Sequence, residues 1–364
     1  TAPDNDPFDI DDPITENADN EGEGNINGWN VLNTTEDDDV IVAGDNWNNI
    51  DLKDGDDNLT IGDGDSNSSA TIDAGEGNDN VKAGDNWDEI KLGTGNDILQ
   101  AGDGDTWSTI DAGEGNDSVK VGDDWNRIKL GDGNDILEAG DADSNNSSTI
   151  DAGEGDDNVK AGDNWDGVEL GDGNDTLEIG NGDSSNWSSI NTGSGNDNVN
   201  AGNNWDEINL GSGDDILKVG DADSSKWSGI DAGSGDDTIE VGDNWDEIDG
   251  GSGEDTLILT TEDIDLGNIL SNTQVRNIEN IDLTNNQSQD LSIDLDDILD
   301  ITDNDNELKI FGDSDDKVTL EGGDENWSNE GQETIDGEIF NVYQGIDSNV
   351  KVLIDDDVSI DSDI

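Results

Sequence analysis

The chain has no cysteine, no histidine and no methionine, and the first two absences each close off a chemistry. Without cysteine there is no disulfide, no thiolate metal site and no thiol nucleophile. Without histidine the commonest general base and transition-metal ligand is missing. Basic residues are scarce: 13 Lys+Arg stand against 96 Asp+Glu, a formal net charge of −83. That balance excludes nucleic acid as a partner, since phosphate recognition needs clustered Lys and Arg. It argues equally against an anionic membrane surface. No apolar run approaches the ~18 residues of a membrane helix, so no membrane insertion is expected. The sequence opens at Thr1 without a basic-then-apolar leader, which suggests processing, a fragment, or export by another route.

With 29% hydrophobic residues and 4% aromatics, such a chain ordinarily cannot offset its conformational entropy, and its charge opposes compaction. Its regularity points the other way. The motif Gly-Asp-Asn-Trp opens at Gly44, Gly84, Gly162 and Gly242, with variants at Gly122 and Gly202, so it recurs at a nearly constant interval. Each period splits into a shorter coil (84–101) and a longer one (such as 102–121) of about 18–22 residues each. Residues 26–43 fit as a worn first coil, so twelve coils run to Leu259. Fixed periods of this kind are the signature of stacked repeats.

Within a coil, two turns each lead into a short apolar/polar alternation, the period of a half-buried strand. Ile90/Leu92, Ile110/Ala112, Ile128/Leu130 and Ile150/Ala152 are expected to point inward, with Lys91, Asp111, Lys129 and Asp151 facing out. The predicted fold is all-β, a parallel β-solenoid with a thin interlocking core.

The turns carry the chemistry. A Gly-x-Gly-[Asn/Asp]-Asp turn bends sharply, aims backbone carbonyls at one point and adds a carboxylate. Calcium takes six to eight oxygen ligands of those types. The first candidate column is Asp39, Asp57, Asp79, Asp97, Asp117, Asp135, Asp157, Asp175, Asp197, Asp215, Asp237 and Asp255. Unneutralised carboxylates at strand spacing would repel strongly, which favours bound cations. On the opposite turn a second column is proposed at Asp45, Asp63, Asp85, Asp103, Asp123, Asp141, Asp163, Asp221 and Asp243, where Asn181 and Asn203 depart from the pattern. The longer coils add Asp65, Asp105, Asp143, Asp183 and Asp223. A Trp stands three residues before the inward apolar residue at Trp29, Trp47, Trp87, Trp107, Trp125, Trp165, Trp187, Trp205, Trp227 and Trp245, with Ser69 and Ser147 in its place twice. That spacing predicts one edge ladder, either a surface for glycans or a self-packing cover over the turns.

These residues resemble the repeats-in-toxin (RTX) family, whose tandem Gly/Asp-rich nonapeptide forms a calcium-bound parallel β-roll. The resemblance recurs in register through residues 44–259, and departs in the Trp of the second half-turn and in the longer coils. Residues 260–364 lose glycine and gain apolar residues; IENIDLTNNQSQDLSIDLDDILDITDNDNELKIFGDSDDKVTLEGG and TIDGEIFNVYQG are similar to the C-terminal domain of type I-secreted adhesins and biofilm-associated proteins. That resemblance implies export by an uncleaved C-terminal signal. Residues 1–25 form an acidic arm holding all three prolines, expected to dock through Phe8, Ile10 and Ile14 on a neighbouring subunit or a solenoid edge. The implied organisation is arm (1–25), calcium-binding solenoid (26–259) and capping, secretion-like domain (260–364). No nucleophile–base pair stands out, so an enzyme is not expected. The expected function is a secreted, calcium-dependent structural protein of the cell surface or matrix: an adhesin, or a filament or surface-layer subunit that self-associates head-to-tail or laterally. The alternative is a module binding carbohydrate or cell-surface glycans through the Trp ladder.

Overall fold

The computed structural model describes residues 31–361 apart from 66–68, 106, 145–146, 260–262, 266–273, 285–287, 303–305 and 336, with backbone alone at 263–265. The arm, with Phe8, Ile10 and Ile14, and Trp29 lie outside the described residues. The chain divides into two compact units, Thr1–Trp187 and Ser188–Ile364. Each is a parallel β-solenoid, so the fold class is the all-β one that the periodicity predicts.

In the first unit every coil contributes one strand to each of two parallel ladders. One ladder runs through Asn80–Lys82, Ile98–Gln100, Ser118–Lys120 and Ile136–Glu138; the other through Glu89–Thr94, Thr109–Glu114 and Arg127–Asp132. Register is strict: Ile90 sits opposite Ile110, and Leu99 opposite Val119. Stacking identical inward positions gives the core its interlock. Ile90, Leu92, Ile110, Ala112, Ile128, Leu130, Ile150 and Ala152 are all buried, as are Leu99, Val119, Leu137 and Val159 from the facing ladder. Each buried branched side chain stabilises by about 1.5–3 kcal/mol. A core this thin therefore draws its stability from repetition of the coil.

The turns stack backbone on backbone, and glycine is what permits it. Gly95 has φ +140°, and a Cβ there would lie 1.7 Å from the carbonyl oxygen of Gly77 in the preceding coil. Only a residue without a side chain fits both demands. Lys53 is the exception, at φ 79° where later coils place glycine.

In the second unit the same pattern runs through Asn198–Ala201, Ile216–Val219, Thr238–Val241 and Thr256–Ile258. Parallel pairing continues past residue 259: Thr256–Ile258 pairs with Asn280–Asp282, which pairs with Glu307–Phe311, which pairs with Lys351–Asp355. A short helix, Leu295–Ile301, is inserted on the way, opened by a reciprocal cap between Asp294 and Asp297. Antiparallel pairing enters where Glu338–Gly345 joins Lys351–Asp355 and then Trp327–Ile335. Trp327–Ile335 is mostly exposed and polar, and its register shifts between Asn329 and Gly331. A polar, irregular outer strand blunts the edge-to-edge pairing that an open sheet end invites.

Candidate metal centres

Each Gly-x-Gly-[Asn/Asp]-Asp turn delivers its last residue to the start of a three- or four-residue strand, side chain inward. There the carboxylate meets the backbone of the coil before it. The N–H of Asp39 donates to Oδ1 of Asp57 (2.7 Å), Asp57 to Asp79 (2.8 Å), Asp79 to Asp97 (2.8 Å) and Asp97 to Asp117 (2.8 Å). The series continues from Asp117 to Asp135 (2.7 Å), Asp135 to Asp157 (2.8 Å) and Asp157 to Asp175 (2.8 Å). In the second unit it runs from Asp197 to Asp215 (2.7 Å), Asp215 to Asp237 (2.8 Å) and Asp237 to Asp255 (2.9 Å).

All of these aspartates are buried. Their second oxygen is the revealing atom. Oδ2 of Asp57, Asp79, Asp97, Asp117, Asp135, Asp157, Asp215, Asp237 and Asp255 is enclosed and accepts no hydrogen bond. Burial, opposed mainly by the one backbone N–H, pushes Asp57, Asp97, Asp157, Asp215 and Asp255 up to about 7 and Asp135 and Asp237 up to about 6. Neighbouring carboxylates of the same column add to the rise in Asp57, Asp97, Asp157 and Asp215. A buried carboxylate oxygen without a donor costs free energy unless a cation meets it.

Two other aspartates show how the protein satisfies this group with its own atoms. Asp39, in the first described turn, directs Oδ2 to the N–H (3.1 Å) and hydroxyl (3.2 Å) of Thr35. Asp316, beyond the repeats, takes the N–H of Gln289 on Oδ1 (3.0 Å) and that of Asp313 on Oδ2 (2.8 Å). The repeat turns leave that second position open. At the far end the N–H of Asp255 donates to Oε2 of Glu279 (3.0 Å), so a glutamate from a differently shaped coil closes the series. Glu279 has no repeat spacing to announce it.

The second proposed column is placed differently. Asp45, Asp63, Asp85, Asp103, Asp123, Asp141, Asp221 and Asp243 are exposed and Asp163 half-buried. Their Oδ1 atoms form a surface ladder: the N–H of Asp85 donates to Asp63 (2.9 Å), Asp103 to Asp85 (3.1 Å), Asp123 to Asp103 (3.0 Å) and Asp163 to Asp141 (2.8 Å). Asn203 takes the N–H of Asp221 through its amide oxygen at 2.8 Å, so an uncharged acceptor serves equally. An outer ladder on the first turn behaves likewise, mixing Asp56, Asn78, Asn96, Asn116, Asn134 and Asp156. These positions need an sp² oxygen and no charge. The buried column is aspartate in every repeat.

The inward acid on the second edge lies two residues before the buried apolar residue of the facing strand, the offset that Asp97 has from Leu99. It is Asp88, Asp166, Asp206 and Asp246, replaced by Asn48 and Asn126 in two coils and by Ala70, Ser108, Ser148, Ser188 and Ser228 in the longer ones. The carboxylates accept from the longer coils: Ala70 to Asp88 (2.7 Å), Ser148 to Asp166 (2.9 Å), Ser188 to Asp206 (2.8 Å) and Ser228 to Asp246 (2.9 Å). Sequence reasoning followed the conspicuous Gly-Asp pair and missed this position, although the common offset could have found it. The added acids of the longer coils include one buried group, Asp183, whose Oδ1 accepts the N–H of Ser185 at 2.7 Å.

The Trp column also divides. Trp87, Trp125, Trp165, Trp205 and Trp245 are buried, not surface-presented. The indole N–H of Trp87, Trp125, Trp165 and Trp245 donates to the carbonyls of Gly62 (3.2 Å), Gly102 (3.0 Å), Gly140 (3.2 Å) and Gly220 (3.1 Å). Those rings cover the turn of the longer coil before them. Trp47 is half-buried, while Trp107, Trp187 and Trp227 of the longer coils are 68%, 49% and 50% exposed.

No group of three or more acidic side chains converges among the described residues. Each turn offers one carboxylate, with glycine backbone around it. That donor set fits an ion that accepts carbonyl oxygens in flexible geometry, as calcium does, better than magnesium with its demand for a tight octahedron and retained waters.

Residues 26–59, 66–99, 83–107, 103–137, 144–177, 188–217 and 230–257 match the family described as RTX calcium-binding nonapeptide repeat (4 copies), together more than half of the chain. No curated protein and no solved structure matches it.

Proposed function

The chain belongs to the RTX calcium-binding nonapeptide-repeat family and binds several calcium ions, and from that premise we propose that it is a secreted structural protein whose solenoid folds on the ions it binds. The ligands are the buried column Asp57, Asp79, Asp97, Asp117, Asp135, Asp157, Asp175, Asp197, Asp215, Asp237 and Asp255, opened by Asp39. The observation carrying this reading is the enclosed, donor-free Oδ2 repeated from coil to coil. In a calcium-poor cytoplasm the ionised column keeps the chain open and exportable; external calcium then folds it, because binding free energy is folding free energy. Circular dichroism with and without chelator tests this: a metal-free chain that keeps its β signal at neutral pH overturns it.

Within that class the protein serves as an adhesin or as a subunit of a filament or surface layer at the cell surface. Electron microscopy of the purified chain with calcium separates them, a filament subunit polymerising and an adhesin module remaining monomeric. A second reading, glycan binding, is favoured by one observation, the exposure of Trp107, Trp187 and Trp227. Such rings offer flat apolar faces to sugars. Quenching of Trp fluorescence by a glycan, lost in Trp107→Ala, supports that reading; fluorescence that responds to calcium alone removes it.

A further inference from the structure

Among the buried carboxylates of the second edge, Asp206 is set apart by its partner. It is fully enclosed, and Oδ2 accepts both the N–H of Ser188 (2.8 Å) and the ammonium of Lys226 (3.2 Å). Lys226 is itself mostly covered, its side chain 21% exposed. Its acid is fully buried, whereas the pairs Lys53–Asp51, Lys91–Glu89, Lys120–Glu138, Lys160–Glu178 and Lys218–Glu240 lie on outer faces. Asp206 Oδ1 is enclosed and receives no hydrogen bond.

The loop bearing Lys226 has a near twin one full period earlier. Residues 181–190 read NGDSSNWSSI and residues 221–230 read DADSSKWSGI, with Asn186 at the position of Lys226. Their backbones turn alike. The N–H of Asn186 donates to the carbonyl of Asp183 at 3.3 Å, and that of Lys226 to the carbonyl of Asp223 at 3.0 Å. Asp183 and Asp223 both accept, on Oδ1, the N–H two residues on, at 2.7 and 2.9 Å. One coil back, the buried acid is Asp166 for the first loop and Asp206 for the second. One loop thus sends an ammonium to its buried acid where the other carries an amide.

We propose that Lys226 is a tethered cation standing where a calcium ion would otherwise bind at Asp206, so that this turn closes without metal. A primary ammonium supplies one positive charge and three donors on a flexible stem. It neutralises the enclosed carboxylate while denying a divalent ion both the charge and the space it needs. The turn is thereby uncoupled from calcium supply, and the coils around it hold a metal-independent contact from which the second unit can order.

The inference rests on the calcium reading above, extended to the inward acids of the second edge such as Asp166, and the test keeps the two apart. Calcium bound per chain is measured by equilibrium dialysis with elemental analysis on the full-length protein and two variants. Lys226→Asn installs the residue of the twin loop and is expected to bind one more ion than the parent. Asn186→Lys moves the device to Asp166 and is expected to bind one fewer. The Lys226→Asn, Asp206→Asn double variant should return to the parent count. Unchanged stoichiometry in both single variants overturns the proposal. If Lys226→Asn does not fold even in saturating calcium, Asn186→Lys decides the matter alone. A parent chain that binds no calcium overturns the function proposed for the column and not merely the role of Lys226.

Discussion

Withdrawing calcium and then acidifying from about pH 7.5 to about pH 5 sets the buried column against every other acid in the chain. In the metal-free fold, burial holds Asp57, Asp97, Asp157, Asp215 and Asp255 at about 7 and Asp135 and Asp237 at about 6, against an ordinary 3.8. Keeping one such group ionised at neutral pH costs up to about 4 kcal/mol, at ~1.4 kcal/mol per pH unit. Solvent reaching an edge turn reduces that to about 2 kcal/mol. Seven of them oppose folding by on the order of 10–15 kcal/mol, as large as the whole stability of a typical domain. Because the folded values are raised, the stabilisation from protonation is complete below the unfolded value and is lost as pH rises through about 6–7. At about pH 5 the column is protonated while ordinary carboxylates remain largely ionised, and the chain is still above its isoelectric point of 4.1. The expected result in chelator is a coil-like circular dichroism spectrum at about pH 7.5 that gains β signal at about pH 5. With calcium the sense reverses, since the ion favours the carboxylate and acid releases it. A metal-free chain already β-rich at neutral pH and indifferent to acid would refute the reasoning.

Replacing Asp157 by Asn keeps its backbone-accepting oxygen and removes the charge; it should lose calcium, read by dialysis, whereas Asp141→Asn on the surface ladder should bind the same number and shift stability by no more than about 0.5 kcal/mol. In calcium, Trp125→Ala should cost about 3–5 kcal/mol in urea unfolding by emptying a buried site, while Trp107→Ala should stay within about 0.5 kcal/mol. Trp125→Phe isolates the indole donor to the Gly102 carbonyl, worth about 1 kcal/mol beyond the change in volume. Gly95→Ala should destabilise by more than about 2 kcal/mol, because its Cβ would meet the Gly77 carbonyl at 1.7 Å on a backbone at φ +140°; an unchanged urea midpoint would mean the turns are not stacked this closely.

The solenoid was legible because its signals are periodic. Ile90/Leu92 and Ile110/Ala112 alternate with polar neighbours, and the repeat fixes which of them stack. The first Asp column was legible for the same reason. The second edge misled because two different columns run beside each other there. Gly-Asp at 84–85 is the conspicuous pair, yet Asp85 turns outward to hold the next coil's N–H, and Asp88, three residues on, is the inward acid. The longer coils hide the pattern further by placing Ser or Ala at that inward position. Nor does spacing distinguish Trp87 from Trp107, both three residues before an inward Ile. What separates them is the length of the loop before the ring: the tight turn of the shorter coil folds its indole over the preceding loop, and the longer loop holds its ring outside. Glu279 and Thr35 close the column by chemistry that no repeat foretells.

The two outer ladders and the first buried column therefore do two different jobs. The two outer ladders, through Asn78 and Asp85, only supply an oxygen to a stacked N–H, which is why asparagine replaces aspartate freely in them. The first buried column supplies that oxygen and a charge besides, and there asparagine never appears. This division fixes how much of the net charge calcium can cancel. One divalent ion per coil would offset on the order of 24 of the 83 excess negative charges, since the outer ladders and strand faces carry acids whose hydrogen bonds need no metal. The calcium-loaded protein is consequently still strongly acidic.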